Sequence, residues 1–88
     1  MRKPHNEYTK KQLENLGKRI KILRKEQNSS YEQFAFKHEI HRVQYGRYEN
    51  GGDMKFSSLM RVLQALDISP KEFFSEGFDD LPEDRKED

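Results

Sequence analysis

Leu13, Leu16, Ile20 and Leu23 recur at three- and four-residue intervals, the spacing of a helix with one buried face. Thr9 is the expected cap of that helix. Thr9-Lys10-Lys11-Gln12 fits a capping box, and Tyr8 with Leu13 fits the hydrophobic staple around it. The pattern fades at Gln27-Asn28-Ser29, and Ser30-Tyr31-Glu32-Gln33 forms a second capping box ahead of Phe34 and Ala35. This second helix must be short, because polar His38-Glu39 interrupts it before Ile40. A third run has Ile40, Tyr45 and Tyr48 on its apolar side and Arg42, Val43, Gly46 and Arg47 opposite; Gly51 ends it by taking a left-handed conformation just past the helix. Phe56, Leu59, Val62, Leu63 and Leu66 outline a fourth helix. Ser69-Pro70-Lys71-Glu72 opens a fifth, with a cap, a proline at the first helical position and a glutamate three residues after the cap. No segment alternates as a strand would, and none repeats. The expected class is all-α.

Composition sharpens this picture. The 88 residues suffice for one small domain, and with 32% apolar and 38% charged positions its core must be thin. The net charge is only +1, but it is unevenly spread: residues 1–27 carry nine basic and three acidic groups, and residues 75–88 carry two basic and seven acidic. Such asymmetry points to a polyanionic partner or to an interaction tail, against the plainer reading of solvated ends. The expected organisation is a mobile basic arm over 1–8, including Arg2 and Lys3, a folded domain over 9–74, and a flexible, disordered acidic tail over 75–88 with only Phe78 and Leu81 to bury. The chain contains no cysteine, no apolar run long enough to cross a bilayer and no apolar stretch of a signal peptide near Met1, so a soluble cytoplasmic protein is expected.

Two short helices near 31–38 and 42–50, joined by a tight turn, have the dimensions of a helix-turn-helix. Phe34 and Ala35 face inward on the first, Ile40 plugs the turn, and Tyr45 and Tyr48 anchor the second. Arg42, Val43, Gly46 and Arg47 are then left as one exposed face. A helix entering the major groove needs such a face, with arginines that fork onto guanine O6 and N7.

At this point the chain resembles the Cro/C1-type (xenobiotic-response-element) helix-turn-helix family. The likeness rests on Leu16-Gly17-Lys18-Arg19-Ile20, Leu23-Arg24, Ser30 to Ala35, Tyr48-Glu49-Asn50-Gly51 and Leu59 to Ile68, and covers about residues 13–74. It implies a compact five-helix, lambda-repressor-like domain that binds operator DNA as a homodimer. It puts Arg42, Val43 and Arg47 at base-reading positions and Gln44 and Asn50 near phosphates, with the backbone amides of Ser30 and Tyr31 aimed at a phosphate. It also implies a structural pair between Arg24 and Glu49. The chain departs from the family pattern in four places. Tyr31 stands where most members have glutamine, Glu39 where the turn usually has glycine, His41 where a serine or threonine usually caps, and Gly46 lies inside the recognition helix.

Other features point less sharply. Lysines of the first helix, such as Lys10 and Lys11, and Lys55 in the loop before the fourth are candidate phosphate contacts, while His38-Glu39-Ile40-His41 has two imidazoles and a carboxylate but no fourth ligand, so no metal is expected. Phe73 and Phe74 are adjacent, so one helix face cannot hide both; one of them is a candidate dimer contact. With no glycine-rich phosphate loop and no nucleophile beside a base, neither catalysis nor a cofactor is expected. Two function classes remain. One is a sequence-specific transcriptional regulator, a repressor, on a near-palindromic operator; the other is an antitoxin-like or controller interaction module whose acidic tail, Glu76 to Asp88, binds a basic protein partner.

Overall fold

The computed structural model describes residues 5–80, and among them all regular structure is helical. The order is α1 (Glu7–Glu26), α2 (Tyr31–Lys37), α3 (Arg42–Glu49), α4 (Phe56–Leu66) and α5 (Pro70–Phe73). The core collects Leu16 and Ile20 of α1, Phe34 and Ala35 of α2, Tyr45 and Tyr48 of α3, four residues of α4 and Phe73 of α5. Ile40 packs against this cluster from the turn, and its amide donates to the Ala35 carbonyl at 2.8 Å.

Helix α1 starts earlier than Thr9. Asn6 is the cap, its Oδ1 accepting from the Thr9 amide at 2.8 Å, so the segment around Tyr8 is helix rather than arm. Asparagine caps at least as well as threonine, and here it gains two more helical residues before Thr9. The second capping box forms as expected between Ser30 and Gln33, and Ser69 caps α5 through the Glu72 amide. Phe56 does not join the core. It is the first residue of α4 and 71% exposed.

Arg19 is a link that no periodicity announces. It is buried, and it donates from Nε to the Phe73 carbonyl at 3.0 Å and from Nη2 to the Glu72 carbonyl at 3.2 Å. A four-residue helix leaves most of its carbonyls without internal partners, so a cation from α1 supplies what the short helix cannot. Phe73 is fully buried beside Arg19, whereas Phe74 stays 42% exposed in edge contact with it. Of the two candidate dimer contacts, Phe73 is therefore excluded, because its ring is spent inside the protomer.

The tail expected from residue 75 has its first six residues described, and they lie against α1. Phe78 packs on the core, Glu76 approaches Arg19 at 3.7 Å, and Asp80 accepts from the Asn15 side chain at 2.8 Å. Residues 81–88, with Leu81, lie outside the described residues, as do Arg2 and Lys3 of the expected arm.

Gly17 sets the closest helix contact. A Cβ there would fall 2.5 Å from the Glu49 carbonyl oxygen and 2.7 Å from that of Tyr48, so α3 reaches the α1 backbone only because position 17 has no side chain. Both neighbours are backbone and cannot swing aside. Gly17→Ala should therefore destabilise the domain by about 1–3 kcal/mol despite alanine's better helix propensity. Urea unfolding checks this, and a variant as stable as the parent would contradict it.

Candidate nucleic-acid interface

Helix α3 is built with two unlike faces. Tyr45 and Tyr48 are buried, Tyr45 with its ring 5.1 Å from that of Phe34. Arg42, Val43, Gln44 and Arg47 are exposed, and Arg47 makes no ion pair among the described residues. The sequence thus holds α3 by two aromatic anchors one turn apart and turns its polar side to solvent.

Three contacts fix how α3 projects. At its C-terminal end Glu49 accepts from Arg24 through both oxygens, at 2.7 and 2.9 Å, and Arg24 also donates to the Ser29 carbonyl at 2.9 Å. The hydrogen bonds to Glu49 hold the Arg24 guanidinium even more firmly protonated than usual. Burial pushes the Tyr45 hydroxyl up, well above the ordinary tyrosine range, and that oxygen has no hydrogen-bond partner among the described residues. At the N-terminal end the turn passes through Glu39 at φ 56°, a left-handed residue that costs about 1–2 kcal/mol. Arg61 of α4 braces that turn by donating to the Glu39 carbonyl at 2.7 Å. His38 closes α2 with its ring 4.6 Å from Phe34; burial holds its pKa below the usual histidine value, and the Lys37 charge adds to this.

The candidate contact residues are not all equally free. His41 caps α3 with its backbone only, so the first amides of α3 face outward without a side-chain acceptor. Arg42 is already paired: its Nη1 meets Glu32 Oε2 of α2 at 3.0 Å. The Ser30 amide is not available to a phosphate in this arrangement, because it donates to Gln33 Oε1 at 3.0 Å within the capping box. The Tyr31 amide has no such partner among the described residues. The Asn50 side chain donates to the Gly46 carbonyl at 2.9 Å and so caps the end of α3. Lys55 and Gln44 line one shallow surface depression between α3 and the start of α4, together with Asp53, which His5 approaches at 3.1 Å. No cluster of three metal-ligating side chains occurs among the described residues. None of their helices is long and apolar enough to cross a membrane.

Tyr31 and Gly46 explain each other. A Cβ on Gly46 would meet Tyr31 Cε2 at 3.7 Å, an ordinary contact, so the glycine lies under the edge of the tyrosine ring. Two stability predictions follow from these geometries. Gly46→Ala should stabilise the domain by about 0.5–1 kcal/mol, since the added methyl fits and the backbone loses its excess freedom. Arg24→Ala should cost about 3–5 kcal/mol by stranding the Glu49 carboxylate, which is 7% exposed. Chemical denaturation reads both, and opposite signs from these would contradict the packing described.

Comparison with known proteins agrees with this geometry. A family model described as helix-turn-helix matches residues 20–73, more than half of the chain, while neither the curated proteins nor the solved structures return a match. The matched span runs from the C-terminal third of α1 to the end of α5 and contains the whole α2-turn-α3 unit. The chain belongs to the Cro/C1-type helix-turn-helix family of DNA-binding transcription regulators.

Proposed function

We propose that this protein is a sequence-specific repressor that reads a near-palindromic operator as a homodimer, with α3 in the major groove. The observation that carries the reading is the exposed quartet Arg42, Val43, Gln44 and Arg47 on a helix whose opposite side is locked by Tyr45 and Tyr48. Arg42 and Arg47 are the base readers, each able to present two parallel donors to guanine, and Val43 offers an apolar surface to a thymine methyl. Gln44, Lys55 and the Tyr31 amide serve the phosphates on either side, and Lys10 and Lys11 add salt-dependent attraction. With Ser30 and Asn50 engaged in capping, their part in phosphate contact would require the caps to open. The uncapped N-terminus of α3 adds a partial positive charge on the side facing DNA.

Phe74 is the candidate dimer contact, exposed beside Phe73 and Phe78. Two copies would then present α3 about 34 Å apart, one helical turn of DNA. No catalytic step is assigned to any residue. Repression would come from occupying a promoter, in the cytoplasm. In the alternative reading, an interaction module whose acidic tail binds a basic partner, Glu76 lies 3.7 Å from Arg19 with its side chain 76% exposed, Asp80 accepts from Asn15, and residues 81–88 lie outside the described residues.

Selection of duplexes from a randomised pool by the full chain tests this reading, followed by fluorescence anisotropy on the recovered sequence and a scrambled control. The recovered sequence should be two-fold symmetric, with half-sites about 10 base pairs apart, and preferred by about 10³. Arg42→Ala with Arg47→Ala should erase that preference while leaving the thermal midpoint nearly unchanged. Failure to enrich any sequence would refute the reading.

A further inference from the structure

Glu32 stands where a DNA reader has least use for a negative charge. It lies in the first turn of α2, its side chain is 54% exposed, and its only ion pair among the described residues is with Arg42, itself 63% exposed. An exposed pair of this kind adds little to stability. Nor does the α2–α3 junction depend on it, since Phe34 packs against Tyr45 across the two helices and the Ile40 amide ties the turn between them to Ala35 of α2. The contact leaves much of the guanidinium free: Glu32 takes one donor on Nη1, and Nε and Nη2 make no hydrogen bond among the described residues.

We propose that Glu32 is a positioning residue for DNA specificity, holding Arg42 toward the base edges and cancelling its pull on phosphates. This rests on the assignment of α3 as the recognition helix. Binding to arbitrary DNA is driven by charge: each cation that neutralises a phosphate releases counterions, whatever the sequence. An arginine paired with a carboxylate brings no net charge to that contest. If Arg42 swings to a phosphate, Glu32 is left unpaired against the same polyanion, so the wrong contact is penalised twice. Donation to guanine needs direction more than net charge, and a guanidinium already tethered at Nη1 has fewer orientations to lose on binding. The carboxylate therefore weakens binding to arbitrary sequence more than binding to the operator.

The test uses the full chain in four forms: parent, Glu32→Gln, Arg42→Ala and the double variant. Each is titrated by anisotropy over a salt series against the duplex selected by the parent and against its scrambled counterpart. Glu32→Gln should tighten binding to the scrambled duplex about fivefold and steepen its salt slope by about 1. Binding to the selected duplex should be unchanged or weaker, so the preference ratio falls by about tenfold. In the Arg42→Ala background the same change should alter the ratio by less than about twofold, because the residue it acts through is gone. An unchanged ratio in Glu32→Gln would overturn the proposal. So would an equal change in both backgrounds, which would make Glu32 a general surface charge. Preference surviving in Arg42→Ala alone overturns this proposal but leaves the regulator reading standing, whereas a parent with no preference for any duplex removes both.

Discussion

Arg24 carries a full charge into a site where its side chain is 8% exposed, and the domain tolerates this only because Glu49 meets it there through both carboxylate oxygens. Buried pairs of this kind add little net stability over a well-packed apolar pair, yet they are demanding about geometry, since a partner displaced by an ångström leaves an uncompensated charge. That demand fixes α3. Glu49 is its last residue, so the pair sets both where the helix ends and how it is rotated about its axis. The third donor of Arg24 goes to Ser29, directly ahead of the cap of α2, and one side chain thereby ties α1 to both helices of the turn unit. Gly17 makes the approach possible by letting the carbonyls of Tyr48 and Glu49 rest on the α1 backbone. The outward direction of Arg42, Val43 and Arg47 is a consequence of this inner fixation.

The turn between α2 and α3 shows the same economy of support. Glu39 takes a conformation that glycine would adopt without strain. Three contacts hold it there: the Ile40 plug beneath, the Ile40 amide on Ala35, and Arg61 donating to the Glu39 carbonyl. Arg61 is a long cation on the exposed side of α4, and its charge comes to rest on a carbonyl that no helix satisfies. A side chain at 39 also leaves the local chain fewer unfolded conformations than glycine would, which offsets part of the strain.

Much of this was legible in the sequence because it is local. Both serine caps, the proline at the start of α5 and the stripes of α1 and α4 follow from spacing alone, and the opposition of Tyr45 and Tyr48 to the arginines of α3 follows from helical period. The failures are of two kinds. Asn6 and Thr9 are both competent caps, and local chemistry does not choose between them; the extra residues of α1 gain support from His5 reaching Asp53. Arg19, Arg61 and the Asn15–Asp80 contact join residues 22 to 65 positions apart, and such pairings leave no periodic trace. Adjacent Phe73 and Phe74 belong to the same problem: only the place where Arg19 meets the end of α5 decides which ring goes inside.

The positions that depart from the family pattern make more sense taken together than one at a time. Tyr31 lies beside position 46 of α3, which has no side chain, and a Cβ there would touch the ring at an ordinary 3.7 Å. The tyrosine ring therefore lies over the middle of α3, where its apolar edge covers backbone that a mid-helix glycine would expose to water. Tyr31 cannot brace a polar residue across the two helices, and the next residue, Glu32, does so instead through Arg42. The polar contact between α2 and α3 is thus an exposed ionic one at Glu32, added to a junction that Phe34 and Tyr45 already make inside the domain. An ionic brace is more sensitive to salt and to the field of a nearby polyanion than an amide brace would be. For a family whose ligand is itself a polyanion, the pair therefore lies on the proposed recognition face, where its exposure leaves it little part in folding.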